Sequence, residues 1–260
     1  MTTTHRKTTH GRHTTKAVAS GRHGRRKVAK RAPPGPSDPS KPAAAHYVPI
    51  NKDPRHGAEF EYSWTAGGCF NPECTQRRIT ILSPSNWEGN HLVTVRIPEI
   101  AVLRAIKLHR AVAPQFTAFF KAAVAKGLAG KVLTYDGSFV ARTLTAKPSV
   151  RSNHAFGSAI DINAKWNGWG QPQAPRGSHG SVAELADFCV DFGLYWGGWY
   201  SGRKDAMHFE AVKVLEAAEL NAACTKHGVN MSGLPSTSAP PTTLPTPSHQ
   251  SVPLPPRRPF

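Results

Sequence analysis

Hydrophobic and polar positions follow a regular pattern only in the middle of the chain. Residues 92–97 alternate and are rich in β-branched side chains, which predicts a strand. From Pro114 onward, apolar residues recur at the spacing of one helix face, and Gly127 supplies a C-terminal cap. We interpret this stripe as core packing rather than as a binding surface; its residues are Phe116, Phe119, Phe120, Ala123 and Val124.

Further short elements are predicted after this helix. The strands cover residues 131–135, 158–163 and 207–210, and the helices cover residues 181–192 and 211–227. Asp136-Gly137 predicts a turn, and Ser181 with Glu184 matches a helix capping box. Because strands and helices are interleaved irregularly, we expect an α+β domain, small and single, with a mixed or antiparallel sheet and flanking helices.

Both ends of the chain have a composition unlike that of the middle. Residues 1–45 carry eleven Lys or Arg and one acidic residue, and their second part is a Pro-rich linker. Residues 233–260 are rich in Pro, Ser and Thr. Such segments cannot bury enough apolar surface to offset their ordering entropy. We therefore predict a disordered basic arm and a disordered tail around a folded domain at residues 46–232.

The cysteines and the charged N-terminus say little about the cellular compartment. Cys69 and Cys74 flank a Pro-containing turn and either pair as a small disulfide or stay reduced, whereas Cys189 is predicted to be a buried free thiol. No apolar run approaches the roughly 20 residues of a membrane span. The N-terminus lacks the hydrophobic stretch of a signal peptide, so we expect synthesis in the cytoplasm, with release by another route such as cell lysis.

Two short segments bring polar residues into apolar surroundings. Asp161 lies on a predicted strand between Ile160 and Ile162, where a carboxylate is costly unless it is paired or bound to a metal. His208 lies between apolar residues on another strand, and His154 precedes Asp161. Each residue alone is also explained as a hydrogen-bonded buried group. Together, two histidines and one carboxylate match a catalytic zinc site that leaves a fourth position open.

These residues belong to a longer pattern that resembles a known family. Its parts are Ser152-x-His154-x-x-Gly157-x-Ala159-x-Asp161, then Trp196-Gly197-Gly198, then Asp205-x-x-His208-Phe209. The pattern closely resembles the D-alanyl-D-alanine carboxypeptidase and L-alanyl-D-glutamate endopeptidase group of zinc peptidases, the VanY-like enzymes, which include many phage endolysins. The likeness covers about residues 92–214 and implies the fold of the Hedgehog and D-Ala-D-Ala peptidase proteins.

The resemblance also implies roles for individual residues. Zn²⁺ would be bound by His154, Asp161 and His208. Asp205 would act as general base or acid, although a turn residue is the simpler alternative. Arg142 would lie over the scissile carbonyl and orient a substrate carboxylate, or else be a surface charge.

Five neighbouring positions are assigned with less detail. Ser152 would support substrate binding or merely cap a turn, and Gly157 would permit a tight bend near the metal. Glu210 is either a partner that orients a ligand or a solvated charge at a strand end. Trp166 and Trp169 either line the cleft or belong to the core.

The leading hypothesis is a zinc metallopeptidase that hydrolyses peptidoglycan stem peptides, cutting either the D-Ala-D-Ala or the L-Ala-D-Glu bond. Asp205 and the Trp-Gly-Gly segment lean towards the endopeptidase. One alternative is a non-catalytic, zinc-containing module that binds the cell wall. Another is a protein that binds nucleic acid or an anionic polymer through residues 1–31, which carry many cations but no aromatic side chains for base stacking. We expect a monomer without membrane contact.

Overall fold

The computed structural model describes residues 40–69, 79–145 and 147–235 of the 260-residue chain. Most of the predicted arm and tail lies outside the described residues, as does Cys74, so the possible disulfide with Cys69 stays a prediction. Cys189 and Cys224 are buried free cysteines, as expected for Cys189. Within the described ranges, no helix is long and apolar enough to cross a bilayer.

Ten short strands form four small antiparallel sheets in the described residues. In chain order they are β1 (Thr65–Cys69), β2 (Ile79–Leu82), β3 (Leu92–Val95), β4 (Ile106–His109), β5 (Tyr135–Gly137), β6 (Thr143–Leu144), β7 (Lys147–Arg151), β8 (Ala159–Ile162), β9 (Leu194–Trp196) and β10 (His208–Ala211). The largest sheet has the order β5-β8-β10-β9, and the others are the hairpin-like pairs β1-β2, β3-β4 and β6-β7.

Five α-helices accompany these strands in the same ranges. They are α1 (Trp87–His91), α2 (Ala113–Ala125), α3 (Ala164–Asn167), α4 (Ala183–Cys189) and α5 (Ala217–Lys226). The α+β class expected from the sequence is confirmed. The predicted strands at residues 92–97, 158–163 and 207–210 appear as β3, β8 and β10.

Helix α2 provides the centre of the core. Phe116, Phe119 and Phe120 are completely buried, so the core interpretation of this stripe is confirmed. The ring of Phe119 lies 5.3 Å from that of Phe188 and 5.5 Å from that of Phe209. Burying one such side chain contributes about 1.5–3 kcal/mol. These contacts fix α2 and α4 against β10, the strand that carries His208.

Packing of the described chain begins before the predicted boundary at residue 46. Ala45 is buried in the core, and the Ser40 hydroxyl accepts a hydrogen bond from the Trp199 indole at 3.3 Å. The ammonium of Lys41 lies 5.1 Å from the ring centroid of Tyr195. The last residues of the predicted linker therefore contact the domain.

The strand predicted at residues 131–135 is wrong except for its final residue. A 3-10 turn occupies Ala129–Lys131, and the ladder begins only at Tyr135. The intervening amides of Leu133 and Thr134 donate to the side-chain oxygen of Asn163, at 2.8 Å and 3.1 Å. Asp136 and Gly137, predicted as a turn, continue β5 instead.

Both later helices are shorter than predicted. The first begins at Ala183, with Val182 rather than Ser181 at the N-cap, and its last turn is a 3-10 helix. The second begins only at Ala217, after an extended connection. Buried side chains hold that connection: the amide of Val214 donates to Asp53 and that of Leu215 to Gln115, both at 3.0 Å. These bonds take the amides that a helix would have used.

Candidate metal centre

Two paired strands carry two of the three predicted ligands. Strands β8 and β10 are antiparallel, and their register places His208 directly opposite Asp161. Because side chains alternate along a strand, Ile160 and Ile162 face the core together with Phe209, and all three are fully buried. The expected separation of a polar face from an apolar face on these strands is thus present.

The third residue, His154, comes from a 3-10 turn at Asn153–Phe156. The Ser152 hydroxyl accepts a hydrogen bond from the His154 amide at 3.4 Å and so caps the turn. Gly157 ends it with a φ of 67°, in the left-handed region. A Cβ there would lie 2.8 Å from the backbone nitrogen of His109, so the bend requires glycine.

The three side chains converge on one point. His208 Nδ1 lies 2.8 Å from Asp161 Oδ1, and His154 Nε2 lies 3.2 Å from Asp161 Oδ2. The two imidazoles are 3.2 Å apart, between His154 Nε2 and His208 Nδ1. One ligand atom of each residue falls within 4.8 Å of the others, so this group could hold a metal ion.

The orientation of His154 suits metal binding. Its Nδ1 lies 2.5 Å from the carbonyl oxygen of Ser138, which accepts only from an N–H. Nδ1 therefore carries the proton, and the lone pair of Nε2 points to the other two residues. Burial opposes ionisation of Asp161, but the neighbouring His154 and His208 outweigh it and keep the pKa of Asp161 well below its usual range.

A loop between β9 and β10 brings Asp205 to the same place. The Asp205 amide donates to the carbonyl of Gly197 at 3.1 Å, and the Trp196 indole donates to the carbonyl of Ala206 at 2.7 Å. A Cβ on Gly197 would lie 2.2 Å from the carbonyl oxygen of Asp205. The Trp-Gly-Gly segment is therefore the support on which the Asp205 loop rests.

Asp205 is buried in an electrostatically mixed environment. Its Oδ1 is buried without a hydrogen-bond partner among the described residues. Burial raises the pKa of Asp205 to about 6, with the carboxylates of Asp161 and Glu210 adding to the effect and the cations His208 and Arg142 opposing it. A carboxyl group with this pKa exchanges protons near neutral pH.

A comparison with protein-family models matches residues 145–211 to the family described as D-alanyl-D-alanine carboxypeptidase. The resemblance to this peptidase family is confirmed. The matched segment contains His154, Asp161, Asp205 and His208 but not Arg142, which precedes it. No curated protein and no solved structure matches the chain.

Arg142, just outside the peptidase-family match, lies beside the ligand turn. Its carbonyl accepts from the Ser152 amide at 3.0 Å, and both residues line the cleft over the three candidate ligands. Arg142 is also close enough to lower the pKa of Asp205. The structure therefore brings all six predicted site residues to one cleft.

The cleft has a volume of about 510 Å³. Trp169 lines it and is 42% exposed, with the Arg203 guanidinium 4.2 Å from its ring centroid, so it is not a core residue. Tyr47, Leu144 and Asn153 line both this cleft and a second cavity of about 370 Å³. The two cavities therefore adjoin.

Sequence reasoning missed two tyrosines of the site and left Glu210 undecided. Tyr47 and Tyr200 line the cleft, and the Tyr200 hydroxyl donates to Glu210. Glu210 is completely buried, so it is not a solvated charge. A signal for Glu210 was present, since it lies two residues after His208 and thus on the same face of the strand. Tyr47 carries no such signal.

Proposed function

We propose that the protein is a zinc peptidase that hydrolyses the stem peptides of peptidoglycan, acting on the cell wall after release from the cell. The observation that carries the proposal is the convergence of His154, Asp161, His208 and Asp205 in one cleft, within the segment that matches the carboxypeptidase family. The family supports a peptidase, and the four side chains support a metal-dependent one.

The donor set fits zinc. Two imidazole nitrogens and one carboxylate are the ligands of many catalytic zinc sites, and they leave one position for water or substrate. The carbonyl of Ser138 fixes the ring of His154 in the required tautomer. A zinc ion at this place would polarise the peptide carbonyl and make water acidic enough to attack it near neutral pH.

Asp205 would move the protons. It belongs to the same cleft as the ligands, and its buried Oδ1 has no other partner in the described chain. As a carboxylate it would accept a proton from the attacking water, and as an acid it would then donate that proton to the leaving amine. With its pKa raised to about 6, Asp205 is mainly a carboxylate at neutral pH and can accept a proton, and its acid form lies close enough in free energy to serve as the donor.

Arg142 and Ser152 would hold the substrate. The guanidinium is the natural partner for a developing oxyanion or for a substrate carboxylate. Ser152 is 3% exposed and already caps the ligand turn, so its first role is to fix His154.

The adjoining cavity favours the endopeptidase over the carboxypeptidase. A carboxypeptidase needs room for a single residue beyond the scissile bond, together with a group that recognises the free carboxylate. On the leaving-group side of the bond, only the endopeptidase substrate has further stem residues. The second cavity continues the cleft past Tyr47, Leu144 and Asn153, and in this proposal it holds them. We therefore propose cleavage of L-Ala-D-Glu, with D-Ala-D-Ala as the competing bond.

Digestion of purified peptidoglycan by the wild type and by Asp205→Asn tests this function. We expect the variant to keep one zinc per chain and to lose about 100- to 10,000-fold in rate, the usual contribution of a general base. Mass spectrometry separates the two bonds, because the endopeptidase exposes an N-terminal D-Glu and the carboxypeptidase releases D-Ala. Asp187→Asn is the matched control, since Asp187 is exposed and pairs with Arg176.

A non-catalytic cell-wall module is the second candidate. If the wild type binds zinc and peptidoglycan but cuts neither bond, this candidate replaces the peptidase. The buried Oδ1 of Asp205, which has no hydrogen-bond partner among the described residues, argues against a non-catalytic module, because a structural metal site does not require such an oxygen. Binding of a polyanion through residues 1–31 stays a separate prediction, tested by salt-sensitive DNA binding with and without that segment.

A further inference from the structure

A buried carboxylate lies next to one of the candidate metal ligands, at the outer nitrogen of the His208 ring. Glu210 follows His208 by two residues on β10 and therefore faces the same way. Its Oε2 lies 3.8 Å from His208 Nε2, the ring nitrogen that does not face Asp161. Glu210 is 0% exposed.

Only one oxygen of this carboxylate is satisfied. The Tyr200 hydroxyl donates a hydrogen bond to Oε1, whereas Oε2 is buried without a partner among the described residues. Burial raises the pKa of Tyr200 well above its usual value, so the phenol keeps the proton that it donates. A buried carboxylate oxygen is costly when unpaired, which points to a donor that the structure places close to it, the Nε2–H of His208.

The geometry allows that contact. The separation of 3.8 Å exceeds a normal hydrogen bond by about 0.6 Å, so the proposed bond requires the imidazole or the carboxylate to rotate slightly. Opposite Glu210 across the strand pair lies Ala159, whose small side chain leaves room for the carboxylate. Tyr200 belongs to the loop that also carries Asp205, so its hydroxyl connects that loop to the ligand strand.

We propose that Glu210 and Tyr200 act as a positioning pair that holds the His208 ring with Nε2 protonated and Nδ1 directed at the metal. The inference rests on the proposed zinc site. Glu210 accepts from Nε2–H, which leaves the Nδ1 lone pair free, and Tyr200 fixes the carboxylate in that orientation. In this role both residues act on the metal through His208 and are not ligands of the ion.

The zinc dissociation constant, measured by competition with a chromophoric chelator, tests the pair. We expect Glu210→Gln to weaken binding by about 10- to 100-fold, as is usual for such outer partners. With Tyr200 still donating to the amide oxygen, the amide N–H₂ would face Nε2–H and lose the acceptor. Tyr200→Phe should weaken binding in the same direction by a smaller factor.

Tyr195→Phe is the matched control. The ring of Tyr195 stacks on that of Tyr200 at 5.9 Å, but its hydroxyl donates to the Trp199 carbonyl and not to Glu210. We expect this variant to bind zinc within about twofold of the wild type, since no partner of His208 changes.

An NMR spectrum of the histidine ring nitrogens and their protons in zinc-loaded protein distinguishes the proposed role from a general loss of stability, which would not shift these resonances. The Nε2-bound proton of His208 should resonate far downfield in the wild type and shift upfield in Glu210→Gln. Equal zinc affinity in the wild type, Glu210→Gln and Tyr200→Phe, with that proton unmoved, would overturn the pair while leaving the peptidase intact. If Glu210→Gln does not fold, the zinc affinity of Tyr200→Phe compared with that of Tyr195→Phe still tests the proposed pair. A wild type that binds no zinc would instead refute the proposed function itself.

Discussion

Gly197→Ala should damage the candidate active site without changing any residue that acts on substrate. The new Cβ would lie 2.2 Å from the carbonyl oxygen of Asp205, where real contacts do not fall below 3.0 Å. The two backbones must therefore separate by at least about 0.8 Å. Displacing a reacting group by about 1 Å costs on the order of 100-fold in rate. We expect a loss of this size in kcat. The Asp205 carbonyl also accepts from the His208 amide at 3.0 Å, so zinc content stays unchanged only if the pairing of β8 with β10, which places His208 opposite Asp161, holds the ligand in place.

The assay compares kcat on a defined muropeptide with zinc content and the thermal midpoint. Gly130→Ala is the matched control, because Gly130 has no positive φ and a Cβ there meets nothing within 4 Å. Its kcat should equal that of the wild type. If Gly197→Ala keeps full kcat, then the close approach of the two segments does not position Asp205 and the reasoning is refuted. If it loses zinc as well, the damage has spread to the ligand strands.

Three further predictions concern stability and metal content. Gly157→Ala should destabilise the fold by about 2 kcal/mol in urea unfolding, since it adds left-handed strain and a clash with the His109 backbone; an unchanged midpoint would contradict it. Although burial opposes ionisation, hydrogen bonds from Lys131, Ser181 and the Gly177 amide lower the pKa of Glu184 to about 2. The carboxylate thus stabilises the fold above about pH 4.5, and this stabilisation is lost as pH falls towards 2. The free energy of unfolding of the wild type should exceed that of Glu184→Gln by about 1–3 kcal/mol at pH 7, and this difference should vanish on acidification. Removal of metal by a chelator should lower the thermal midpoint of unfolding, and added zinc should restore it. A midpoint that neither treatment changes would argue against a bound ion.

The parts of the fold that the sequence predicts are those whose signal is local. The stripe of Phe116, Phe119 and Phe120 recurs at helix spacing, and these side chains do fill the core. Strands β8 and β10 are predictable from sequence because in each a polar residue interrupts a run of apolar residues. Both signals depend only on the periodicity of one element, which the surrounding structure does not alter.

The parts that were mispredicted depend on distant side chains. Residues 131–134 look like a strand, yet Asn163 takes the amides of residues 133 and 134. Residues 212–216 look helical, yet Asp53 and Gln115 take the amides of residues 214 and 215. Each of these bonds joins residues 29 or more apart in the chain. A buried amide or carboxylate gives the backbone an alternative to a helix or a ladder, and no window of neighbouring residues reveals it.

The same distinction separates the residues of the candidate site. Asp161 and His208 are found from sequence because each stands out on its own strand, and Asp205 because the resemblance to the peptidase family implies its role. The role of Glu210 is ambiguous from sequence, because a carboxylate two residues after a ligand can equally be exposed to solvent. Its complete burial and its hydrogen bond from the Tyr200 hydroxyl favour the interpretation as a partner that orients the ligand. Local spacing therefore suffices for the groups that would touch the metal, whereas the groups that would hold them in place are defined by packing. Variants of Tyr200 and Glu210 consequently probe what the motif itself does not contain.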